Sequence, residues 1–297
     1  MLTALLVPLA LAIVVYAIVL LKAVIARGIR PSGEAVVLGA VTNFFDTLGI
    51  GSFAPTTAWL KFRKLVPDRV LPCTMLVGLT PPSMLEGFIF LILLGVMVDP
   101  VLLVGCVIAL LMGGLLGAPL VMKTRVWLIQ MVVAVALLLA AAMYLMANLH
   151  LMPGGGTASG LSPVLMIVAI AANFLFGVLL NFGVGNYAPT LVLLSLMGMD
   201  PRLCFPIMAA GAGLCGAGAS IRHIKMGEIT LPVVLGLTIG GIPAVLVAAF
   251  IVKAMPVETL RWLVIFVVLY AAAIMFRSAI VGRREHRAQS ATAPVAG

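Results

Sequence analysis

The stretch GIGSFAPTT, Gly49 to Thr57, interrupts one long apolar run of the chain, and GVGNYAPTL, Gly183 to Leu191, interrupts another. A membrane helix gains nothing from two glycines and a proline within nine positions. Glycine weakens the helix and proline removes a backbone donor. Whether these stretches are packing glycines or true helix breaks decides the fold.

The rest of the chain is built for a bilayer. Of its 297 residues, 64% are hydrophobic and 9% charged, with a mean hydropathy of +1.29. A soluble domain carries about 25% charged residues. Water-soluble classes are therefore excluded, and the useful count is of spans about 20 residues long. Apolar segments fall at about 2–26, 34–61, 70–97, 100–122, 126–148, 162–197, 203–222, 228–252 and 257–280. The N-terminal run lacks a basic leader and is longer than a signal-peptide core, so it reads as a retained first helix. The net charge of +9 comes from Lys and Arg scattered between apolar runs. That pattern sets membrane topology and makes no nucleic-acid surface. Cys73, Cys106, Cys204 and Cys215 have no CxxC spacing and no nearby His, and read as packing residues. No metal or other cofactor is expected.

The two broken stretches repeat each other. Gly49 matches Gly183, Gly51 matches Gly185, and Ala54-Pro55-Thr56 matches Ala188-Pro189-Thr190. Downstream, Leu60, Pro67 and Pro72 match Leu194, Pro201 and Pro206, giving eight identities in 24 ungapped positions. Three coincident prolines and two glycines point to an internal duplication. The expected organisation is an extra N-terminal helix at 1–30, repeat 1 at 34–148, a Gly-rich connector at 149–161, repeat 2 at 162–280 and a polar disordered tail at 281–297.

The positive charges choose between parallel and inverted repeats. If every apolar segment crosses once, Lys and Arg divide evenly between the two sides. If 34–61 and 162–197 each dip in and return, 15 of the 18 fall on one side, leaving Arg202, Lys253 and Arg261 opposite. The positive-inside rule prefers the second arrangement. Length agrees, since residues 162–197 as one straight helix would measure about 54 Å against a hydrocarbon core of about 30 Å. Each repeat then holds one re-entrant hairpin and about three full spans. An odd number of crossings turns repeat 2 upside down. The fold class is an all-α polytopic membrane protein.

Broken helices at matching places in two inverted halves point to a central site in a secondary transporter. Gly49-x-Gly51 and Gly183-x-Gly185 permit sharp turns. Ser52 and Asn186 are placed to cap the helices that follow, and Pro55 and Pro189 sit in the first turns. Two helix N-termini meeting at the midplane favour a small anion. Thr56, Thr57 and Thr190 add hydroxyls, while Asn43, Asn173 and Asn181 could line the approach. A lone GxG usually marks close packing, but its duplication with the same APT sequel favours a binding site. Asp46 and Glu86 sit inside apolar segments, where ionisable groups are expensive and often carry protons. Both have structural alternatives. Asp46 could bond the backbone of the turn, and Glu86 could form an S-x-x-E capping box with Ser83.

The paired stretches NFFDTLGIGSFAPTT and NFLFGVLLNFGVGNYAPTL, with the prolines after them, resemble the TauE/SafE sulfite-exporter family of membrane permeases. The resemblance covers nearly all the chain after residue 34. The family's motif runs to a third glycine where this chain has Ser52 and Asn186, and the N-terminal helix is additional. The resemblance implies transport of sulfite, organosulfonates or related sulfur anions. It places the central site at Gly49, Gly51, Pro55, Thr56, Gly183, Gly185, Pro189 and Thr190.

The expected function is secondary transport of a small anion across a bacterial inner membrane by alternating access, with a cytoplasmic C-terminus. Without an ATP-binding motif, coupling falls to a proton or the membrane potential. An anion channel of the same fold is the alternative. No catalytic constellation suggests an enzyme. The expected partners are the anionic substrate, the lipid bilayer and no nucleic acid, and a homo-oligomer is compatible with the sequence.

Overall fold

A computed structural model of the chain describes residues 3–67, 70–121, 125–149, 151, 156–180, 185–227 and 229–292. The helices among them are α1 (Thr3–Ala26), α2 (Gly33–Thr47), α3 (Phe53–Phe62), α4 (Leu71–Leu93), α5 (Pro100–Val121), α6 (Val126–Asn148), α7 (Pro163–Leu180), α8 (Tyr187–Leu196), α9 (Phe205–Met226), α10 (Leu231–Ala254) and α11 (Val257–Thr292). Short 3-10 turns occupy Gly95–Met97 and Pro201–Cys204. Seven helices (α1, α4, α5, α6, α7, α10 and α11) are long and apolar enough to cross a membrane. The chain is an all-α polytopic membrane protein.

The run 34–61 is not one helix. α2 stops at Thr47 and α3 starts at Phe53. Between them Gly49 and Gly51 take φ of +93° and +91°, a region only glycine enters without strain. The chain then turns back on itself. Trp59 Nε1 and Arg63 Nε, at the far end of α3, donate to Glu34 Oε1 in the first turn of α2 at 2.9 and 2.8 Å. The run 162–197 behaves alike, with α7 ending at Leu180 and α8 starting at Tyr187. Ahead of α7, the Ala158 N–H donates to the Gly198 carbonyl at 3.2 Å, and the Asp200 N–H donates to the Ala158 carbonyl at 3.0 Å. Each hairpin therefore enters and leaves by one end of the bundle.

Eight helices pack in pairs: α2 on α10, α7 on α5, α4 on α9 and α6 on α11. Small residues allow the close approach, as membrane helix pairs require. A Cβ on Gly240 of α10 would run into the Val36 carbonyl of α2. One on Gly113 of α5 would run into the Phe174 carbonyl of α7.

α4 continues unbroken through Pro81 and Pro82. Each proline frees the carbonyl four residues earlier, at Val77 and Gly78. Neighbouring helices recover both. Tyr16 OH of α1 donates to the Val77 carbonyl at 2.7 Å, and Thr238 Oγ1 of α10 donates to the Gly78 carbonyl at 3.1 Å. An unsatisfied carbonyl within a bilayer costs several kcal/mol, so these two bonds explain how a Pro-Pro pair survives in mid-helix. The Tyr16 bond also fastens the N-terminal helix to the bundle. The expected capping box is thereby corrected, because Glu86 lies inside α4 and no helix begins there.

Two further expectations change. Residues 281–292, expected to be disordered, continue α11 as helix. Arg283 stacks over the Trp127 ring at 5.7 Å from its centre, holding this stretch against the start of α6. The expected flexible connector is held in part by the Ala158 bonds and by the Asp99 N–H, which donates to the Ser159 carbonyl at 2.9 Å.

Candidate functional site

The two breaks line one cavity of about 1660 Å³. One wall is Asp46 with the turn Gly49–Phe53 and Thr57. The facing wall is Gly185, Asn186, Tyr187 and Pro189 at the start of α8. The walls nearly touch at their base. A Cβ on Gly49 would lie 3.8 Å from Leu191 of α8 and 3.7 Å from Val267 of α11. The cavity runs beside α6 and α11 to Arg125, Arg277 and Glu285, all exposed. Among the described residues, none of its lining comes from the opposite end, where Asp99, Ala158 and Asp200 gather.

The structure brings most of the expected site residues together. Gly49, Gly51, Ser52, Thr57, Gly185, Asn186 and Pro189 are on the wall, while Asn43, Pro55, Thr56 and Thr190 stand behind it. Gly183 and Asn181 lie outside the described residues. The expected side-chain caps do not form. Ser52 and Asn186 both hold helical backbone angles, and neither side chain bonds its own helix. The first donor of the α3 end is taken otherwise: the Ser52 N–H donates to Asp46 Oδ1 at 2.8 Å. Asn186 Nδ2 donates to the Met208 carbonyl of α9 at 3.1 Å.

The polar groups behind the two walls differ. Thr190 Oγ1 donates to Asn173 Oδ1 at 3.3 Å, and Asn173 Nδ2 donates to the Ala169 carbonyl at 2.9 Å. On the α3 side, Ser52 Oγ, Thr56 Oγ1 and Asn43 Oδ1 are buried and find no partner within the protein. Buried polar atoms are nearly always bonded to something. Ser52 Oγ lines the cavity at the start of α3, with the positive end of that helix dipole, so a polar ligand gains a contact on this wall.

Both acids are buried. Asp46 is 8% exposed and Glu86 fully enclosed. Asp46 does close the turn, since it holds the Ser52 N–H and its carbonyl accepts the Gly49 N–H at 2.7 Å. It also faces the cavity. Glu86 stands behind the wall, where Tyr187 OH donates to its Oε1 at 3.0 Å. Tyr187 is a residue that motif reading passed over. The available signal was its position: it matches Phe53 in the first stretch and adds one hydroxyl.

An arrangement of this kind can hold a small polar ligand between two helix ends. No curated protein and no solved structure matches the chain. Residues 165–297, which contain the second glycine–proline stretch but not the first, match the family model described as Sulfite exporter TauE/SafE.

Proposed function

We propose that the chain is a secondary transporter that carries a small anion, a sulfur oxyanion or sulfonate such as sulfite, across a bacterial inner membrane. The observation that carries this reading is the shared cavity: two broken helices, far apart in sequence, present Gly49 to Phe53 and Gly185 to Tyr187 to one space. The family match supports the sulfur-anion class. The wall of Ser52, Thr57, Gly185 and Asn186 is the binding surface, backed by Thr56, Asn43, Pro55, Pro189 and Thr190. Arg125 and Arg277 at the mouth raise the local anion concentration. Their end also holds Arg63 and is cytoplasmic by the positive-inside rule, so the cavity faces inward.

In this reading α2–α6 and α7–α11 are inverted repeats, and transport alternates which hairpin is closed on the bundle. Asp46 beside an anion site is unfavourable while ionised, so the anion travels with a proton or as its protonated form. Asp46 and Glu86 are the acids available to carry it. A channel of the same fold remains the rival, and kinetics separates the two. Uptake of labelled sulfite into proteoliposomes saturates for a carrier and is weakened by Ser52→Ala. Linear, unsaturable flux would favour the channel. Absence of sulfite, thiosulfate and sulfonate flux would reject the substrate class.

A further inference from the structure

Glu86 belongs to both halves of the molecule. It sits on α4 and is fully enclosed. Its Oε1 accepts from Tyr187 at the start of α8, and its Oε2 lies 3.4 Å from Thr47 Oγ1 at the end of α2. The titratable groups facing it are Asp46 of α2 and Tyr187 of α8. From the other sides α9 meets this turn with the backbone of Ala209 and Ala210 beside Gly87, and α10 meets the turn before it with Gly241 beside Pro82.

The Thr47 hydroxyl has a single proton to donate and two lone pairs to accept with. It lies 2.9 Å from the Asn43 carbonyl, one turn back on α2, and that shorter contact can only be a donation by Thr47. Toward Glu86 Oε2 the Thr47 hydroxyl stands as geometric donor at 3.4 Å, long for an O–H···O bond; with its proton committed to Asn43, that contact becomes a full hydrogen bond when Glu86 supplies the proton. A carboxylate has no proton to give, whereas a carboxylic acid has one. One chain of bonds satisfies every group: Tyr187 O–H to Glu86 Oε1, Glu86 Oε2–H to Thr47 Oγ1, and Thr47 O–H to the Asn43 carbonyl.

We propose that Glu86 is the proton carrier of the transporter, holding its proton on Oε2, with Thr47 and Tyr187 as positioning residues that report its state to the two helix breaks. Loading forms the Oε2–H bond with a proton that passes from cavity water through the Asp46 carboxylate on the wall. Release breaks that bond and returns the proton by the same acids to water. Ionised Glu86 needs a donor at Oε2, so the Thr47 hydroxyl must swing away from Asn43. That releases the side-chain bond on the last turn of α2, two residues before Gly49, and changes the bend there. The positions matching Glu86 and Tyr187 in the other half-motif are Ser220 and Phe53. The second half therefore has no equivalent acid, and this site carries one proton per cycle.

This inference rests on the transporter reading, so its test includes a measurement that needs no substrate. Infrared spectra of the full-length protein in lipid at neutral pH should show a protonated carboxylic C=O band that moves in D2O. Glu86→Gln should remove the band, and Asp46→Asn should leave it. Tyr187→Phe should raise its frequency, because Tyr187 donates to the carbonyl oxygen; a purely structural role for Tyr187 would not do this. A spectrum that Glu86→Gln leaves unchanged would overturn the proposal. In proteoliposomes, an inward-directed proton gradient should drive sulfite accumulation in the wild type and lose that effect in Glu86→Gln. Gradient-driven accumulation retained by Glu86→Gln would also overturn it. If wild type moves no sulfite, the substrate reading fails and the infrared result alone decides on the proton.

Discussion

α3 and α8 start from nearly the same words, FAPTTAWLKF and YAPTLVLLSL, and end in opposite circumstances. α8 is buried almost throughout and packs against α6, α7, α9 and α11 and the Pro201–Cys204 turn. α3 packs against α2 and α4 and leaves Phe53, Trp59 and Phe62 exposed, at 51%, 43% and 78%. The hydroxyl behind α8 is paired, Thr190 to Asn173, whereas those behind α3 are not. The difference shows how one motif can serve as a closed wall at one end of a bundle and an open lip at the other. If the halves are inverted repeats, exchanging the two circumstances would close the Arg125 end and open the Ala158 end, which is the alternation a carrier requires.

The largest effects are expected where both halves use glycine to bring helices together. Gly240→Ala and Gly113→Ala each force a Cβ onto the backbone of a partner helix. Each should lower stability by about 3 kcal/mol, read as a lower melting temperature in detergent. At the breaks the halves should part. Gly49→Ala meets a φ of +93° and should cost about 1–3 kcal/mol. Gly185→Ala places its Cβ in open space and should cost nothing through packing.

A hydroxyl exchange sharpens the comparison further. Thr190→Val strands Asn173 Oδ1 inside the bundle and should cost about 1–3 kcal/mol. Thr56→Val removes an atom with no partner, so it should leave the melting temperature nearly unchanged while weakening anion uptake. Equal stability losses for the two would erase the distinction between a satisfied wall and a waiting one. Tyr16→Phe should cost about 1 kcal/mol through the carbonyl that Pro81 frees, seen as partial detachment of α1 in proteolysis.

The smallest effect lies at the base of α3. Arg63, by hydrogen bond first, holds the half-buried Glu34 carboxyl below its ordinary value. A lowered value means the contribution is present above the usual carboxylate range and is lost as pH falls through the lowered one. Acidification, or Glu34→Gln, should therefore loosen α3 slightly, with α8 unaffected. Exchange rates of backbone amides in the two helices would show it.

Much of this was legible in the sequence because it depends on local chemistry. Two glycines need positive φ, a Gly-x-Gly breaks a helix, and positive charge gathers on one side. What was not legible depends on partners far away in the chain. Nothing near Pro81 and Pro82 announces that Tyr16 and Thr238 will satisfy the carbonyls they free, so Ser83-x-x-Glu86 looked like a helix start. That Asp46 could bond the backbone of the turn was legible; that the N–H it takes is that of Ser52, with no side-chain cap on α3, was not. Tyr187 differs from Phe53 by one oxygen, and only the fold brings that oxygen to Glu86.

The central claim is that the two breaks form one site reached from the Arg125 end. Ser52→Cys and Asn186→Cys, each in a background free of the four native cysteines, test it with a membrane-impermeant thiol reagent applied to vesicles of either orientation. The account predicts that both positions react from the cytoplasmic face and that sulfite slows both reactions together. Reaction of the two from opposite faces, or protection of one without the other, would contradict a shared site.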